Sequence, residues 1–197
     1  RDQIQENSNR ENQRKLEALR AERALLPEAI SEVIRISRKV IVGLFRGDAS
    51  LSAAIELPAI SRDGRETIKR CIQYADGTTG DRLTQILRVL QVLEARFESS
   101  FFEDALPDGD VTWEVCDYNR VRAIIDWAAL DATCASIFDF ARGAAAEIPS
   151  QIQKNHLYTA IIAPGVHIEN YPRVVEILEE RAERGVLEMN FRSPRFE

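Results

Sequence analysis

Between residues 28 and 46 the apolar side chains recur every third or fourth position: Ile30, Val33, Ile34, Val40, Ile41, Leu44 and Phe45, with Ser37 in the same register. That period places them on one face of an α-helix, while Glu32, Arg35, Lys39 and Arg46 fall largely elsewhere. Gly47 supplies the stop. The same period returns along much of the chain. Nine glycines and seven prolines in 197 residues are few, and strands joined by tight turns would need more of both. The pattern predicts an all-α fold, a helical bundle of about six helices entered by a charged N-terminal helical stalk.

Residues 1–24 carry alternating charges and few apolar side chains: Ile4, Leu16 and Leu19, with small Ala18, Ala21 and Ala24. Straight-chain helix formers dominate from Glu11 onward. No heptad seam is sustained before Leu16, so a strong coiled coil is not expected. The segment reads as a solvated helical stalk, or as a weak oligomerising helix. Pro27 is expected to break it or to start a new helix. The domain division that follows is a stalk over 1–26 and a bundle over 27–197.

Residues 48–60 form a long connection, with a short helix expected over 51–56. Asp63 and Glu66 have capping-box spacing, ahead of a stripe of Ile68, Cys71, Ile72 and Ala75. Residues 77–80 read as a turn, and Asp81 as the cap of a helix faced by Leu83, Ile86, Leu87, Leu90, Leu93 and Phe97. An irregular acidic stretch over 98–119 precedes what reads as the longest helix, 118–147. That helix is apolar on two faces: Val121, Ile124, Ile125, Ala128 and Ala132, then Trp127, Leu130, Cys134, Ile137 and Ala141. Such a helix belongs in the middle of a bundle. A shorter helix over 151–163 stops at Pro164-Gly165, and a last one runs from Asn170-Pro172 to Arg184. Residues 186–197 read as a strap or a frayed end.

The formal charge of −6, with basic residues scattered among acids, offers no field for non-specific nucleic-acid binding, and no nucleic-acid partner is expected. Cys71, Cys116 and Cys134 are too few and too widely spaced for a disulfide framework or a zinc cluster, and read as buried thiols. The glycine loop Gly77-Thr78-Thr79-Gly80 lacks a lysine and lies between Asp76 and Asp81, which would repel a phosphate. His156 and His167 are the only histidines, stand eleven residues apart across a Pro-Gly break, and read as structural or surface groups. Asp108, Asp110 and Glu114 are hard oxygen ligands, yet their spacing is not that of a calcium loop. Asp126, Asp131 and Asp139 read as solvent-facing or ion-paired, with Arg122 four residues before Asp126. No catalytic, cofactor-binding or metal residue is assigned, and no cofactor is expected.

Three further segments belong with this pattern: residues 20–32 (RAERALLPEAISE), residues 90–96 (LQVLEAR), and residues 125–130 (IDWAAL) running on to 137–142 (IFDFAR). In this order they resemble a group of uncharacterised bacterial proteins with an N-terminal membrane-spanning helix, a short charged helical stretch and a helical domain. The resemblance covers about residues 10–143 and rests on packing patterns. It carries no functional residues. It implies a membrane anchor upstream of Arg1, and arginine-rich sequence just after a spanning helix favours the cytoplasmic side.

The function expected from these features is a non-enzymatic interaction or scaffold module, cytoplasmic and tethered to the inner membrane through that anchor. Its partner would be a protein, a second copy among the options. The alternative is a small hydrolase or metal-dependent enzyme whose site is assembled only in the fold.

Overall fold

The first helix, α1, runs without interruption over Asp2–Arg46. At about 1.5 Å per residue its 45 residues span roughly 68 Å. The computed structural model of the chain describes residues 2–46, 59–75, 77–98, 113–145, 147–148 and 151–184, without the side chains of 2–4, 46, 97–98 and 113–119. Five more α-helices follow: α2 (Arg62–Tyr74), α3 (Gly77–Glu98), α4 (Trp113–Ala141), α5 (Lys154–Ile162) and α6 (Pro172–Glu183), with a 3₁₀ turn over Ile168–Asn170. The fold is an all-α helical bundle; the described residues contain no strand. None of the described helices is long and apolar enough to cross a membrane.

Every apolar or small residue of the first stripe is buried from Ile30 to Phe45, and so are Ser37 and Ile36. Glu32 on α1 faces Ser61 at the start of α2, and Glu22 faces Arg70 further along it, so α1 and α2 run antiparallel. Arg38 meets Asp131 and Arg23 meets Phe140, so α4 also runs antiparallel to α1. Helix α3 runs back along α2, held by the Arg65–Glu94 pair. Helices α5 and α6 close over α4, and one continuous core joins all six. Both faces of α4 are buried, including Ile125 and Trp127.

Several boundaries differ from the sequence expectation. Pro27 does not break α1. Its ring removes one backbone bond, but Leu26, Ala29 and Ile30 beside it are anchored in the core and hold the helix through. This makes α1, not α4, the longest helix. The α2 cap is Ser61 rather than Asp63: its hydroxyl accepts the Gly64 N–H at 3.0 Å. Gly64 also admits Glu32, whose carboxylate lies 2.5 Å from where a Cβ would stand. Gly77 to Gly80 form the first turn of α3, not a loop, because Thr79, Arg82 and Leu83 are drawn into the core. Helix α4 begins at Trp113 and ends at Ala141, with Gly143 (φ +80°) turning the chain out of it. Asn170 lies in the 3₁₀ turn, and Tyr171 stands at the cap position of α6. The expected short helix over 51–56 and the strap over 186–197 lie outside the described residues.

Candidate functional site

Where α4 faces the core, a charge it carries must find a partner inside the fold. Asp126 does so. Its side chain is 5% exposed, and its two oxygens meet Arg181 of α6 at 2.7 Å and Arg96 of α3 at 3.3 Å. Asp131, one and a half turns on, is 2% exposed and accepts the Arg38 Nε–H from α1 at 2.8 Å. Burial pushes the Asp131 carboxyl up, and the Arg38 guanidinium pulls it back only in part. Arg122, expected as the partner of Asp126, is exposed instead. Asp139 is exposed and pairs loosely with Arg142 at 3.6 Å.

Chemically these are held charges. The Asp126 carboxylate is clasped by two guanidiniums, which occupy its oxygens as hydrogen-bond acceptors. The two carboxylates tie α4 to α1, α3 and α6, so their work is to position helices.

A cavity of about 200 Å³ opens where the end of α1, the early part of α4 and the start of α6 meet. Its floor is Leu44, Val121, Ile124 and Val174, with Arg120 and Arg173 among its lining. Phe45 and Tyr171 close one wall edge to face, centroids 4.4 Å apart. It falls below the roughly 300–1,000 Å³ usual for ligand sites. Among the described residues no aspartate, glutamate, histidine or cysteine lines it. Arg173 is exposed and paired with Glu176 at 2.8 Å.

No protein family, curated protein or solved structure matches the chain. The geometry therefore stands by itself.

The remaining sequence candidates are dispersed. His156 is exposed at the start of α5, where its Nδ1 accepts the Gln153 N–H at 3.3 Å. His167 is exposed beside Glu169. Cys71 and Cys134 are buried free thiols. Burial, with Glu22 nearby, lifts Cys71 to about 11, and burial lifts Cys134 well above the ordinary thiol value. Neither is a thiolate at neutral pH, which makes both inert. Cys116 and Glu114 have side chains outside the described set, as do Asp108 and Asp110 entirely. Among the described residues no three His, Cys, Asp or Glu side chains converge as metal ligands.

Proposed function

We propose that the chain is a non-enzymatic helical interaction module whose bundle is carried on the N-terminal part of α1. The observation behind this reading is the division of that one helix. Its later half is packed in the core, whereas residues 5–17 are exposed without exception. A helix lacking a buried face is marginal in water, so this one extends from a nucleus that the bundle supplies. It adds Glu6–Arg10 at 2.7 Å and Glu11–Lys15 at 2.9 Å, pairs worth about 0.2–0.5 kcal/mol each on a helix surface. Helix-forming sequence maintained where it packs on nothing of its own fold suits a spacer or a pairing surface. With the resemblance noted above, this reading places the bundle on the cytoplasmic face of a bacterial inner membrane, tethered from upstream, with a protein as partner.

The test is deletion of residues 1–13 combined with photo-crosslinking in bacterial cells. Deletion should shift the melting temperature by less than about 2 °C, the equivalent of under about 1 kcal/mol for a domain of this size. A photoreactive residue at Gln13 or Leu16 should give a discrete protein adduct that Thr84 and Ala135, exposed on the bundle, do not. Adducts confined to the bundle, or a melting point several degrees lower, would overturn the reading.

A further inference from the structure

The stalk leaves the bundle beside the one residue of α1 that cannot complete the helical ladder. Pro27 has no N–H to give the Arg23 carbonyl, and its ring crowds that carbonyl, so bending α1 costs least there. Leu26 is the first residue of α1 with no exposed surface, and beyond Pro27 burial continues through Ala29, Ile30 and Val33. A helix with its far half in water and a proline at its root would swing unless something held it.

Two side chains just before Pro27 reach two different helices. Arg23 crosses to the end of α4. Its Nε–H donates to the Phe140 carbonyl, its Nη2 donates to the Ala145 carbonyl at 2.8 Å, and its guanidinium lies 4.0 Å from the centre of the Phe140 ring. Glu22 turns toward α2 and meets Arg70 at 3.5 Å, while its buried Oε2 has no hydrogen-bond partner. The two ties are unequal. One is a double charge-assisted bond reinforced by a ring, and the other is a loose ion pair.

We infer that Arg23 is a lock that sets the angle between stalk and bundle, with Pro27 as the hinge it restrains. The lock has a second consequence. The Phe140 carbonyl belongs to the last turn of α4, where it also accepts the Gly143 N–H at 3.0 Å. Arg23 therefore satisfies the end of α4 from outside, as a capping residue would. Any pull that lifts the stalk root strips donors from that end, so stalk angle and the order of the α4 C-terminus change together. This holds whether or not the stalk carries a partner.

Spin labels at Ser8→Cys and Thr84→Cys, both exposed sites, report the angle as a distance distribution, in a background carrying Cys116→Ser. The buried Cys71 and Cys134 are shielded from label. The parent should give one narrow distribution. Arg23→Gln should roughly double its width, with Arg23→Lys in between, because lysine keeps the charge but not the planar fork. Adding Pro27→Ala to Arg23→Gln should narrow it again by restoring the missing backbone bond. Arg20→Gln, the same charge change at an exposed stalk position, should leave it unchanged. Amide exchange at Ala141 and Arg142 should accelerate in Arg23→Gln alone of the single Gln variants. A parent distribution already broad, an Arg23→Gln distribution as narrow as the parent, or broadening that survives Pro27→Ala overturns the inference. Circular dichroism confirms that each variant is folded; if Arg23→Gln is not, Arg23→Lys must carry the broadening or the inference fails.

Discussion

Replacing Asp126 by alanine removes a charge that ties α4 to α3 and α6, and its cost follows from the geometry. The side chain is 5% exposed, and the arginines left behind are 19% (Arg181) and 35% (Arg96) exposed. Breaking a fully buried ion pair costs about 3–5 kcal/mol, chiefly through the charge left stranded. Here both arginines reach water in part, which lowers the expected loss to about 2–4 kcal/mol. That corresponds to a fall of about 5–15 °C in melting temperature. The two arms should differ. Arg181 is closer and more enclosed, so a double-mutant cycle with Arg181→Ala should give a coupling of about 1–3 kcal/mol. Arg96 is longer and more exposed, and its coupling should stay below about 1 kcal/mol. Urea unfolding at unchanged slope reads all of these. A loss under about 1 kcal/mol, or a coupling to Arg96 as large as that to Arg181, would refute the assignment of Asp126 as a buried helix tie.

Truncating Ile125, which has no exposed surface, to alanine should cost about 2–5 kcal/mol in the same assay, and a loss below about half a kcal/mol would mean its cavity collapses or its burial is wrong. Asp131 gives a pH dependence of unusual sign. Its native carboxyl is raised above the unfolded value of about 3.9, so the native state binds more protons there, and the stability it contributes is lost as pH climbs through the native value. Asp131→Asn removes that loss, so the variant should gain on the parent as pH rises from about 3.5 toward neutrality; a constant or shrinking difference refutes the raised carboxyl.

What the sequence made legible was the buried side of each helix. The stripe from Ile30 to Phe45 and the two faces of α4 are buried as their period requires, because burial of a face is written directly in side-chain spacing. Helix ends were less legible, since the rules that mark them are local and the fold overrides them. Pro27 costs a helix interior about 3 kcal/mol, an amount that packing of Leu26 and Ile30 on either side can exceed. Gly77 and Gly80 are poor helix formers, yet in a first turn the backbone N–H groups have no intrahelical acceptor to lose, so little opposes helix there. The charge ties were least legible. Spacing pointed Asp126 to Arg122, four residues away, whereas its partners lie 30 and 55 residues off. The one available signal was negative in form: a carboxylate on an apolar face of a helix is buried, and so has to be paired, as Asp126 and Asp131 are.

That same requirement explains why α4 carries charge on its buried faces at all. Its apolar faces are built mainly from Ala and Ile, with Trp127, Leu130 and Phe140, and hydrophobic contact among them is non-directional. The bonds of Asp126 and Asp131 are directional. Moving α4 one turn, about 5.4 Å, against α1 would carry Asp131 away from Arg38, and the same slip against α6 would carry Asp126 away from Arg181. Each would then stand unpaired in an apolar setting, a state far costlier than the paired one is favourable. The two aspartates thus act less as sources of stability than as penalties on every wrong register, one for each side of α4. Arg23 adds a third such reference at the C-terminal end of the helix, through carbonyls that exist in that position only when α4 ends at Ala141. With α1 fixed to α4 at Arg23 and at Arg38, about four turns apart, the angle of the whole 45-residue helix is set by side chains that its own stripe does not contain.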